Sequence, residues 1–67
     1  MHQYNKSTKK YIRSFDSNSE AAAWCYENNL TSVAGKVART HIGEVARGER
    51  KSAYGFIWSY ELKDKLD

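Results

Sequence analysis

Thr40-His41-Ile42-Gly43-Glu44-Val45-Ala46-Arg47-Gly48-Glu49-Arg50-Lys51-Ser52-Ala53-Tyr54-Gly55-Phe56-Ile57-Trp58 is the stretch that decides how this chain folds. It reads as a short helix, a glycine stop, a basic turn, a second glycine and an aromatic strand. Ile42, Val45 and Ala46 form an apolar helix edge at i, i+3, i+4 spacing. Thr40, His41, Glu44 and Arg47 then project from the opposite side. Gly48 stands where a helix ends through a residue of positive φ. Arg50 and Lys51 come next, with hydroxyls at Ser52 and Tyr54. Gly55 then opens a strand in which Phe56, Trp58 and Tyr60 share one face and Ile57, Ser59 and Glu61 the other.

Upstream of that run, His2–Asn5 gives a weak strand signal and Lys10–Phe15 a better one, β-branched and aromatic. The polar turn Lys6–Lys9 joins them into an expected hairpin. Lysines along it blunt the sheet edge. Ser17-Asn18-Ser19-Glu20 matches a capping box, in which Ser17 accepts from the Glu20 amide and Glu20 reaches back to Ser17. The helix it starts, about 18–28, carries Ala21, Trp24 and Cys25 on one face. Asn28 and Asn29 are its expected C-terminal cap, with Leu30 folding back as the hydrophobic contact.

Thr31 or Ser32 then caps a further helical segment through Val33, Ala34, Val37 and Ala38. Gly35 within it costs about 1 kcal/mol relative to alanine. Residues 33–47 read either as one helix, with a stripe at 34, 38, 42 and 45, or as two, broken near 39–41. Thr40 serves equally as an N-cap in the second case. The tail 61–67 is charged and expected to fray. The fold class expected is thus α+β, a β-β-α-α-β domain with a helix-turn-helix-like pair and a small antiparallel sheet.

Sixty-seven residues make a single domain, and one this small buries only about 60% of its unfolded surface. Nine aromatics supply a compact core, with Trp24, Phe56 and Trp58 its expected centre. No apolar run approaches the roughly 20 residues of a membrane span, and no signal peptide opens the chain. A cytoplasmic setting is the expectation. The single cysteine, Cys25, reads as a buried thiol.

The net charge of +3 matters less than its placement. Lys36, Arg39, Arg47, Arg50 and Lys51 crowd one region, and Lys6, Lys9, Lys10 and Arg13 another. Acids lie mostly elsewhere, which gives either one cationic face or an evenly solvated surface. His2 and His41 have no partners at metal-ligand spacing, and the glycines form no phosphate-cradling loop. No catalytic constellation, cofactor site or small-molecule pocket is expected. The short polar-faced helix with its cationic exit suits a DNA groove.

Four runs carry a family resemblance. They are Tyr11-Ile12-Arg13-Ser14-Phe15-Asp16-Ser17, Glu20-Ala21-Ala22, His41-Ile42-Gly43-Glu44-Val45 and Gly48–Trp58. The most specific is Gly48-x-Arg50-Lys51-Ser52-Ala53-x-Gly55-x-x-Trp58. Together they resemble the nuclease-associated modular DNA-binding domain (NUMOD type), found at the C-terminus of HNH and GIY-YIG homing endonucleases of phages and mobile introns. The likeness spans about residues 4–60. It implies a helix pair whose second helix enters the major groove of double-stranded DNA, as a monomeric module of a longer chain.

Carried onto this chain, the resemblance puts Thr40, His41, Glu44 and Arg47 toward the groove and Arg50, Lys51 and Ser52 at phosphates. Lys36, Arg39 and Tyr54 complete the expected DNA-binding set. Residues 27–39 are longer than the tight turn of shorter family members, and the His-Asn-His nuclease motif is absent, so cleavage belongs to another part of a longer protein or to none. The rival readings are a protein-interaction module, docking through a strand edge or aromatic patch, and a stand-alone helix-turn-helix regulator.

Overall fold

A computed structural model describes residues 1–32 and 35–66. The order of elements is β1 (His2–Asn5), β2 (Tyr11–Ser14), α1 (Asn18–Glu27), α2 (Lys36–Ala46) and β3 (Phe56–Ser59). The strands form one antiparallel sheet in the order β2-β1-β3, so the N-terminal strand is central. The expected β-β-α-α-β order and α+β class are what the molecule has.

β1 pairs with β3 in continuous register from His2↔Ser59 to Asn5↔Phe56. Its pairing with β2 slips between Gln3 and Tyr4. Cross-strand partners share a face, so Gln3, Trp58 and Arg13 lie on one side of the sheet. That side carries the main core of Ala21, Ala22, Cys25, Ala38, Ile42, Val45, Ala53 and Trp58. Phe15, Trp24, Phe56 and Trp58 meet ring to ring, with centroids 5.8–6.1 Å apart. Trp58 is buried, and its Nε1 donates to the Ala53 carbonyl at 3.0 Å. Arg13 leaves the expected basic cluster and stacks its guanidinium over Trp24 at 4.6 Å.

Both helices begin and end for local reasons. Ser17 Oγ accepts from the Glu20 amide at 3.2 Å, as the capping box requires. Glu20, however, reaches one residue further than expected and accepts from the Asp16 amide. α1 closes with Asn29 at φ 59°, while the Asn29 amide donates to Tyr26 and the Leu30 amide to Cys25. These are the two bonds of a Schellman motif. Leu30, the residue expected to fold back, is 39% exposed. α2 ends the same way on Gly48, at φ 82°, with the Gly48 and Glu49 amides donating to Val45 and Glu44.

α2 is continuous from Lys36 to Ala46, with no break near 39–41. Its N-cap is Gly35, at φ 76° and with no side-chain cap bond. Thr31 and Ser32 therefore do not cap it. The expectation that Val33 and Ala34 open a helix falls outside the described residues. Ala38, Ile42 and Val45 are buried as the stripe requires. Thr40 is not an N-cap: it lies mid-helix, and its hydroxyl donates back to the Lys36 carbonyl at 2.8 Å.

The tail does not fray through residue 66. Tyr4, wholly buried, donates its hydroxyl to the Glu61 carbonyl at 2.6 Å and accepts from the Lys63 amide at 2.9 Å. The Tyr11 amide then donates to Asp64, and the Leu66 amide to Lys9. The tail thus covers the sheet face opposite the helices and borders β2. No described helix is long and apolar enough to cross a membrane.

Candidate nucleic-acid interface

The 3.6-residue period of α2 separates its faces. Burying Ala38, Ile42 and Val45 leaves Lys36, Thr40 and Arg47 on an exposed stripe, bordered by the half-buried Glu44 and His41. Arg39 points elsewhere. Its Nη1 donates to Ser19 Oγ at 3.3 Å, tying α2 to the first turn of α1.

Acids hold two cations of this surface in place. Arg47 Nε donates to Glu49 Oε2 at 2.8 Å, and half or more of each side chain is exposed. The bond and the opposite charge raise the Arg47 pKa above its ordinary value and lower that of Glu49. Arg47 is the C-cap of α2 through its backbone amide, which donates to the Gly43 carbonyl at 3.0 Å, while its side chain is held by Glu49. Arg50 lies 3.9 Å from Glu44, which brings the basic turn back onto the helix.

His41 and Tyr54 form the second tie between helix and turn. The histidine Nδ1 lies 2.9 Å from the tyrosine hydroxyl, with ring centroids 6.0 Å apart. Tyr54 sits at φ 55° and Gly55 at φ 84°. Ala53 and Phe56 exchange both backbone hydrogen bonds across them. This is the two-residue, positive-φ pattern of a type I′ hairpin, which ordinarily takes Asn-Gly. A tyrosine in the left-handed region is uncommon, and its side chain is the part held by α2.

Arg50 and Lys51 are exposed and Ser52 half-buried. Lys51 and Ser52 border a groove of about 330 Å³ whose other walls are Lys6, Lys9 and Ile57. Of the ten residues expected to bind DNA, the structure places Lys36, Thr40 and Arg47 on the exposed α2 stripe, with Glu44 at its border and Arg50 joined to it through Glu44. Lys51 and Ser52 line the groove with Lys6, Lys9 and Ile57. His41 and Tyr54 tie α2 to the turn, and Arg39 stands on the flank of the stripe.

Burial pushes the Cys25 thiol up to about 11, so the group is a protonated core side chain at neutral pH. Among the described residues no three His, Cys, Asp or Glu side chains converge to hold a metal ion. Sequence reasoning missed the wholly buried Gln3, whose side-chain amide has no hydrogen-bond partner among the described residues. Lys6 and Lys9 were legible as basic residues, but not as neighbours of Lys51. No family model, curated protein or solved structure matches the chain.

Proposed function

We propose that this chain is a module that binds double-stranded DNA, with α2 in the major groove and the basic turn 49–54 against the phosphate backbone. The observation that carries the reading is the continuity of the exposed α2 stripe with that turn through the Glu44–Arg50 contact. A groove reader needs a rigid helix with base-reading side chains and cations placed to fix its register on the backbone. The sequence resemblance to nuclease-associated modules supports the same reading, and extends it to a monomeric module that positions a tethered homing endonuclease, HNH type, on its target.

In this arrangement Arg47 exchanges Glu49 for the O6 and N7 of a guanine, a bidentate pair that sets base preference. The Thr40 hydroxyl already donates its hydrogen bond to the Lys36 carbonyl, so it acts toward DNA as an acceptor. Glu44 accepts from a cytosine amino group. His41, engaged at Nδ1, offers Nε2. Arg50, Lys51 and Ser52 hold phosphates, and Lys36 adds charge at the far end of the helix.

Fluorescence anisotropy with specific and random duplexes tests the division of labour. Arg47→Ala is expected to relax sequence preference, and Lys51→Ala to weaken all duplexes alike. Equal losses on both kinds of duplex from both variants would reject the assigned roles.

A further inference from the structure

The antiparallel pairing of β1 with β3 has a consequence for charge. Asn5, the last residue of β1, pairs with Phe56, the first of β3. The turn carrying Lys6 and Lys9, which leaves β1, therefore lies at the same end of the sheet as the basic turn that enters β3. The result is the groove of about 330 Å³, walled by Lys6, Lys9, Lys51 and Ser52 and floored by Ile57.

The hairpin side of this groove is rigid. Asn5 Oδ1 accepts from the Ser7 and Thr8 amides at 2.8 and 2.9 Å, and the Asn5 carbonyl accepts from the Lys9 amide. Among the described residues, the ion pairs Arg47–Glu49, Arg50–Glu44 and Lys63–Glu61 involve neither Lys6 nor Lys51. Like charges gathered by the topology repel one another. An anion seated between them removes that repulsion.

We infer that this groove seats a backbone phosphate of the bound duplex, so that the N-terminal hairpin turn is a second phosphate clamp alongside Arg50 and Lys51. The inference rests on the DNA-binding reading and enlarges its footprint from one segment of the chain to two, distant in sequence. Lys6 and Lys51 supply charge-assisted donors to the phosphate oxygens, and Ser52 a hydroxyl. The chemistry recognised is a phosphate oxyanion, and a duplex and free orthophosphate both present it.

The test uses amide chemical shifts of the whole chain, titrated with a short duplex and separately with sodium phosphate at matched phosphate concentration. Anisotropy across about 50 to 200 mM salt accompanies it for Lys6→Ala and Lys51→Ala. Both side chains are exposed, so the variants are expected to keep the wild-type fold, which the same spectra report. The duplex is expected to move the amides of Lys6, Ser7, Lys51 and Ser52, and orthophosphate to leave them in place. Each variant is expected to lose affinity several-fold and to flatten the salt slope by about 0.9. A duplex that binds without moving the Lys6 and Ser7 amides, and with Lys6→Ala unchanged, overturns the second clamp and leaves the α2 reading intact. A duplex that does not bind overturns both. Orthophosphate moving the same amides while the duplex does not assigns the groove to free phosphate and overturns the inference.

Discussion

The hydroxyl of Tyr54 lies 2.9 Å from Nδ1 of His41, joining the tip of the β3 hairpin to the middle of α2. Tyr54 holds a left-handed backbone conformation that asparagine or glycine adopts more easily. The side-chain bond offsets that strain and fixes the angle at which the basic turn leaves the helix. Tyr54→Phe keeps the ring and removes the bond, at an expected cost of about 1 kcal/mol. A urea-denaturation double-mutant cycle with His41→Ala is expected to return a coupling of about that size. Additive losses would show that the two side chains are neighbours without being partners.

Glycine has different uses at two positions of the same helix. Gly48 ends α2 at φ 82° with open space around its missing Cβ, so Gly48→Ala meets no neighbour and suffers only backbone strain. The expected loss is about 1–2 kcal/mol. Gly43 is helical and buried, and an added Cβ would meet Arg47 Nη1 at 3.0 Å and Asn18 Nδ2 at 3.3 Å. Both are side-chain ends, Arg47 bonded to Glu49 through Nε and Asn18 to the Tyr60 hydroxyl at 3.2 Å, and each needs to give by only a few tenths of an ångström. The helix-propensity gain of about 1 kcal/mol therefore opposes a small displacement, and Gly43→Ala is expected to be near neutral. Thermal unfolding of the two variants checks the contrast; equal destabilisation would contradict it.

The C-terminal segment is structural. Tyr4→Phe deletes an acceptor and a donor used by Lys63 and Glu61, at an expected cost of about 1–2 kcal/mol. Removing residues 62–67 is expected to destabilise at least as much, since it also uncovers Tyr4 and the border of β2. Hydrogen exchange gives the direct reading. The Lys63 and Leu66 amides are expected to be protected in the native chain, and exchange at the random-coil rate would contradict the docking.

The features legible in the sequence were local ones. Ser17, Asn29 and Gly48 act through bonds to residues within a turn of themselves, and the alternation Phe56-Ile57-Trp58 declares its faces without reference to any partner. The docked tail was not legible. Its anchor is a hydroxyl bonded to backbone 57 residues away, and charged residues that are exposed in the fold look the same as residues that fray. The site was divided likewise. The α2 stripe arises from helical period alone. The meeting of Lys6 with Lys51 needs the pairing of β1 with β3, and the Tyr54–Gly55 turn lacked the Asn-Gly signature that marks its type.

Under the proposed function, Glu49 competes with DNA for Arg47. The two side chains are exposed and paired at 2.8 Å, so binding through Arg47 must first break that pair. Glu49→Gln removes the competing charge and is expected to tighten duplex binding several-fold at low salt, with the gain shrinking as salt screens the pair. Isothermal calorimetry on the two proteins measures it; weaker binding by the variant would contradict the assigned role of Arg47.

The most direct measurement is the affinity of the chain for duplex DNA as a function of salt. A surface using Lys36, Arg47, Arg50 and Lys51 against phosphates and base edges predicts measurable binding at low ionic strength. It also predicts a linear fall of log K with log salt, at about 0.9 per phosphate neutralised. Absence of binding at about 50 mM salt, or an affinity indifferent to salt, would contradict the account.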